Sequence, residues 1–226
     1  MIRLVPAILL IAGPAAAQSI ADARDLIRPD WRIEYEVMGD ISRDGVPDLA
    51  VVLKQTDPAN VITHDGLGEN PYDSNPRELM VALGQRGGGF RVVARNDRVI
   101  SRREMPTMDD PLQDAPAIEN GVLKFTLVAF MSAGGWGAGN TTFSFRHQDG
   151  MVRLIGFDDF SFQRNSGQST ETSINLLTGR RSVTTGDMGE DEPSEDVVWD
   201  RVRLGPVNLT DMGDGFMWAY ETFGEE

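Results

Sequence analysis

Trp31-Arg32-Ile33-Glu34-Tyr35-Glu36-Val37 leads through Gly39-Asp40-Ile41-Ser42-Arg43-Asp44-Gly45-Val46-Pro47-Asp48 into Leu49-Ala50-Val51-Val52-Leu53. The first seven residues alternate apolar with charged, the period-two pattern of a strand with one buried face. The last five are unbroken apolar, as in a central strand covered on both faces. Between them, Asp44-Gly45 is a strong turn signal for a two-stranded hairpin.

The same idiom repeats outward from this hairpin. A polar insert over 56–76 contains Asp57-Pro58, Asn70-Pro71 and Asn75-Pro76, and it precedes two more strands, Glu78 to Leu83 and Phe90 to Ala94, around Gly87-Gly88-Gly89. Residues 97–120 carry three prolines and little periodicity, so they read as an irregular connection between a first sheet (31–96) and a second set of antiparallel strands (121–210). That second set comprises Val122 to Phe130, Thr141 to His147, Met151 to Phe162, Glu171 to Leu177 and Arg181 to Thr184. Asn120-Gly121, Asp149-Gly150, Asn165 to Gly167 and Thr178-Gly179 separate these strands with residues that tolerate positive φ. The acidic stretch 187–196 reads as a loop. Val202, Leu204, Val207 and Leu209 around Pro206 suggest a closing edge strand, and 211–226 a C-terminal tail. A short helix is expected over 19–28, with Ser19 as its N-cap and Pro29 beyond its end. The expectation is one all-β domain over 18–226, an antiparallel β-meander packed as a sandwich or a strongly curled sheet. A propeller would need several copies of the hairpin, and there is one.

Residues 40–48 also have the spacing of a cation loop. Asp40, Ser42, Asp44 and Asp48 place side-chain oxygens at positions one, three, five and nine, Val46 offers its carbonyl, and Gly45 makes the sharp turn. Hard cations such as Ca²⁺ take six to eight oxygens, so the expected cofactor is one structural calcium ion. An EF-hand is excluded, because its twelfth-position Glu would fall on Val51 and its exit helix on a strand. The segment from Gly39 to Val52 resembles the D-x-D-x-D-G-x-x-D loops of FG-GAP and VCBS-type repeats, and of small exported bacterial proteins that carry one such loop. The resemblance implies ligands at Asp40, Asp44 and Asp48, with the Val46 carbonyl, and it brings no enzymatic activity with it. Ser42 stands where the pattern has Asp, which removes one charge and points to the weak, extracellular range of affinity.

The chain opens with Arg3, an apolar run from Leu4 to Ile11 and then Ala15-Ala16-Ala17-Gln18, the three parts of a secretory leader cut after Ala17. The apolar run is too short to span a membrane, and the absence of Cys removes a lipid-anchor site. The expected location is therefore the periplasm or the medium, with no membrane span. The formal net charge of −14 becomes more negative by one when Arg3 is lost. Such a surface repels phosphate backbones, so nucleic acid is not an expected partner. The missing Cys also excludes thiol nucleophiles, thiolate zinc and disulfide staples, and the chain is long enough to bury roughly 70% of its unfolded surface without them.

The remaining motifs point less sharply. Gly134-Gly135-Trp136-Gly137-Ala138-Gly139 lacks the G-x-G-x-x-G order and a following helix, so it reads as a flexible hairpin loop. Trp136 is the candidate contact to an envelope glycan or a protein partner. His64 and His147 lack zinc-protease spacing, and Ser132 and Ser166 lack a nucleophile-elbow frame. Asp158-Asp159, and Asp211 with Asp214, are the acidic pairs a secreted hydrolase would need. No catalytic residue is assigned from the sequence.

Overall fold

The structure, a computed structural model, describes residues 18–187 and 195–223; the leader and most of the acidic stretch lie outside the described residues. Fourteen strands appear among the described residues. The N-terminal group is β1 (Ser19–Ile20), β2 (Trp31–Gly39), β3 (Asp48–Gln55), β4 (Val61–Ile62), β5 (Tyr72–Asp73), β6 (Arg77–Gly84) and β7 (Phe90–Asn96). The C-terminal group is β8 (Ala117–Glu119), β9 (Val122–Phe130), β10 (Gly137–Gln148), β11 (Met151–Gln163), β12 (Gln168–Asn175), β13 (Arg180–Asp187) and β14 (Glu195–Arg201), followed by one helix, α1 (Gly215–Phe223).

All pairings are antiparallel and build an all-β sandwich. One sheet has five strands in the order β1-β7-β6-β3-β2, and the other has seven in chain order from β8 to β14. β4 and β5 form a small separate pair inside the polar insert. Residues 97–116 carry the chain from one sheet to the other, and they also contribute Val99, Ile100 and Leu112 to the core.

The unbroken run of β3 is explained by burial on both sides. Ala50 and Val52 face the second sheet among Leu123, Phe125, Leu127, Phe143, Phe145 and Phe157. Leu49, Val51 and Leu53 face the opposite way, where Ile20, Ala23 and Leu26 of the N-terminal segment cover them with Met80 and Val92. That segment pairs β1 with β7 and ends in a 3-10 turn (Ala23–Leu26) capped by Asp22, not in a longer helix capped by Ser19.

The alternation of β2 is broken by a bulge at Glu34, where Ile33 pairs with Leu53 and Tyr35 with Val52. An extra residue reverses the pleat. Trp31 and Ile33 therefore pack on the outer cluster and Tyr35 on the inter-sheet core, not on one common face.

Turn chemistry follows the sequence closely. Asn120 and Gly121 have φ of 52° and 73°, and Asp149 and Gly150 have 52° and 79°. Both tight hairpins thus need two consecutive positive φ angles, which Asn-Gly and Asp-Gly supply.

The C-terminal region differs from expectation. The last strand is β14, whereas 202–208 runs without a ladder beside β11, with Leu154 N donating to Val207 O at 2.9 Å. Residues 215–223, expected within a tail, form α1, whose Trp218 and Phe223 pack edge-on or tilted against Phe157.

Candidate functional site

The loop between β2 and β3 is wound around its own aspartates. Asp40 Oδ1 accepts Asp44 N at 3.1 Å and the Ser42 hydroxyl at 3.3 Å, while Oδ2 accepts Gly45 N at 3.0 Å. Burial works against the charge of Asp40, but the Gly45, Asp44 and Arg43 amides and the Ser42 hydroxyl outweigh it and hold the carboxyl below its ordinary value. Arg43 at φ 61° and Gly45 at φ 81° make the sharp reversal.

Asp48 is fully buried at the head of β3. Its Oδ2 accepts Ser42 N at 2.8 Å, and its Oδ1 accepts Gly84 N, from the end of β6, at 2.8 Å. Asp44 is exposed and folds back to accept Val46 N at 2.8 Å. Ile41, with no exposed surface, nails the loop into the core, and Arg43 reaches the Asn120 carbonyl of the second sheet at 2.6 Å.

The donor chemistry is that of a hard-cation site, and Ser42 links Asp40 to Asp48 through its hydroxyl and its amide. Among the described residues, no three His, Cys, Asp or Glu side chains stand gathered closely enough to hold a metal ion. Asp44 is the side chain turned to another task.

The other sequence candidates have structural duties. Asp158 and Asp159 are neighbours on one strand, so they point to opposite faces: Asp158 accepts from Ser173 and Asp159 from Thr141, each at 2.6 Å. They are not a catalytic pair. Asp211 accepts Asn208 Nδ2, and Asp214 caps α1 by accepting Met217 N. The His64 ring lies 2.9 Å from Glu69 O on the surface insert. Trp136 is 62% exposed. Its loop is nevertheless anchored, because Arg164 donates to the carbonyls of Met131 and Gly135 at 2.6 Å.

Two features escaped the sequence reading. The first is an ion network at the bulge. Arg77, nearly buried, donates to Glu34 at 2.5 and 3.0 Å and to Asp110 at 2.8 and 2.7 Å, while Lys54 sits 2.9 Å from Asp73. Burial opposes the charge on Arg77 and Asp110, but their mutual hydrogen bonds prevail, raising the Arg77 pKa and lowering that of Asp110. Asp73 is likewise lowered, the Asn75 and Lys54 hydrogen bonds outweighing its desolvation.

The second is a cavity of about 370 Å³ between the seven-stranded sheet and α1. Its origin lies in the sheet register. The inward row Phe125, Phe143, Phe157 and Ile174 fills the core, the next row places Thr141, Asp159 and Thr172 side by side, and the row beyond is Ala129, Gly139, Ser161 and Thr170. Small side chains leave space there. α1 roofs it with Phe216, Ala219, Tyr220 and Phe223, the i, i+3, i+4, i+7 face of a helix. The signals were present as Gly137 and Gly139 inside a strand and as that helical spacing near the C-terminus.

No family model matches the chain, and neither a curated protein nor a solved structure matches it significantly.

Proposed function

We propose that this chain is an exported, non-enzymatic β-sandwich whose 40–48 loop takes one calcium ion as a strut between its two N-terminal strands. The observation that carries the reading is the winding of the loop, with Asp40 holding the Asp44 and Gly45 amides and Asp48 the Ser42 amide. Asp40, Ser42, Asp44 and Asp48 would supply side-chain oxygens and Val46 its carbonyl. Because Ser42 brings no charge where the pattern has Asp, binding is weak, in the range of about 10⁻⁴–10⁻³ M that suits extracellular calcium. Export is supported by the leader pattern and by Gln18, the first residue after the expected cut, whose carbonyl already accepts Val92 N at 2.9 Å.

The test uses protein recovered from the export fraction, its first residue expected to be Gln18, freed of metal by chelator and titrated with Ca²⁺ and Mg²⁺ by calorimetry. Calcium should raise the melting temperature by mass action, and Asp44→Ala should abolish the increment while leaving the chelated protein unchanged. Asp48→Ala should lose about 1–3 kcal/mol in either medium, because the Ser42 and Gly84 amides lose their acceptor. Equal melting of the native chain in calcium and in chelator would overturn the proposal.

A second reading rests on the exposure of Trp136. An indole held outward on an anchored loop suits stacking on a glycan ring or an apolar partner surface. Retention on an envelope-glycan column should vanish in Trp136→Ala at unchanged melting temperature; a drop in melting temperature would return the residue to a structural role.

A further inference from the structure

Among the described residues, the cavity beneath α1 holds one charged group. Asp159 accepts the Thr141 hydroxyl at 2.6 Å, and no described cation or second donor reaches its carboxylate. No Lys, Arg or His among the described residues lines the space, whose surface is mostly apolar and includes Phe157, Phe216, Tyr220 and Phe223. The carboxylate is therefore only partly exposed and has no counter-charge, so its charge is less well solvated than on an open surface. Burial pushes the Asp159 carboxyl above its ordinary value against the single opposing bond from Thr141, in keeping with that geometry.

An unpaired carboxylate beside aromatic rings selects one class of guest. Anions are repelled by Asp159 and by the net charge of −14, and a neutral apolar molecule leaves the carboxylate desolvated. An ammonium group meets the carboxylate by charge and the ring faces by cation–π attraction, and an attached apolar body fills the rest. At about 370 Å³ the space is at the small end of ligand pockets. We propose that the cavity between β10, β11 and α1 is a binding site for a small organic cation, an ammonium joined to a compact apolar or aromatic body, with Asp159 as its counter-ion. The site is remote in sequence from the 40–48 loop and shares no residue with it, so neither proposal depends on the other.

The experiment titrates the whole chain with benzyltrimethylammonium and, separately, with its uncharged carbon isostere neopentylbenzene, following backbone amide NMR shifts at Thr141 and Asp159. The expected result is binding of the ammonium at least about tenfold tighter than the isostere, with that advantage lost in Asp159→Asn and the affinity for the isostere kept. Equal affinity of the two probes for the native chain, or no shift at the cavity amides with millimolar ammonium, would overturn the assignment. Should Asp159→Asn fail to fold, the ratio of the two probes on the native chain decides alone.

Discussion

At Arg77 a guanidinium almost wholly removed from solvent stands between Glu34 and Asp110, with Lys54 nearby. Removing one partner from such a group strands the others, so Arg77→Met should cost about 3–5 kcal/mol in urea unfolding. The acid response follows from the lowered carboxyls. Asp73 and Asp110 have folded pKa values below their unfolded ones, so their contribution is complete above the ordinary carboxyl range and is lost as pH falls through the lowered values. The native chain should lose melting temperature below about pH 4, and the loss should be shallower in Arg77→Met. Spacing alone drew attention to Asp40, Asp44 and Asp48, but it could not show that Asp44 caps Val46 or that Asp48 is a buried acceptor for β6. Glu34 read as an outward charge because a bulge leaves no mark in an alternating pattern.

At the scale of elements, legibility tracked how many faces of an element are buried. The two-sided burial of β3 and the Asn-Gly and Asp-Gly hairpins were readable because a continuous apolar run and a pair of positive φ angles each have few sequence solutions. β14 was hidden because Val197, Val198 and Trp199 are all exposed on an edge strand, where neither face imposes alternation. α1 was hidden because it is short, and its Gly215 lies close against the Val99 carbonyl and the side chain of Leu127, a packing reason that the sequence reads as a helix breaker. The cavity followed the same rule. Gly139 is visible in the sequence, but the row it shares with Ala129 and Ser161 exists only once the register is known.

For the whole molecule, the grouping into two antiparallel sheets was legible; the expected irregular connection over 97–120 ends earlier, at 116, where β8 begins, and strand order was not legible, because order depends on tertiary closure rather than local pattern. Two pairings skip intervening strands: β3 meets β6 across the polar insert, and the short β1 must find β7, some seventy residues downstream, before Ala23 and Leu26 can cover the outer cluster. The seven-stranded sheet can zip up from neighbour to neighbour, but this clasp must wait for a distant loop to close. The rate-limiting barrier should therefore be crossed with the clasp still open. Leu26→Ala, costing about 2–5 kcal/mol, should then accelerate unfolding in stopped-flow chevrons and leave the refolding arm nearly unmoved. Slowed refolding would mean instead that the N-terminal clasp belongs to the nucleus. If the clasp does close last, the interval before it does so is when the chain presents its stickiest surface, and a partner that guards unfinished chains would have its opportunity there.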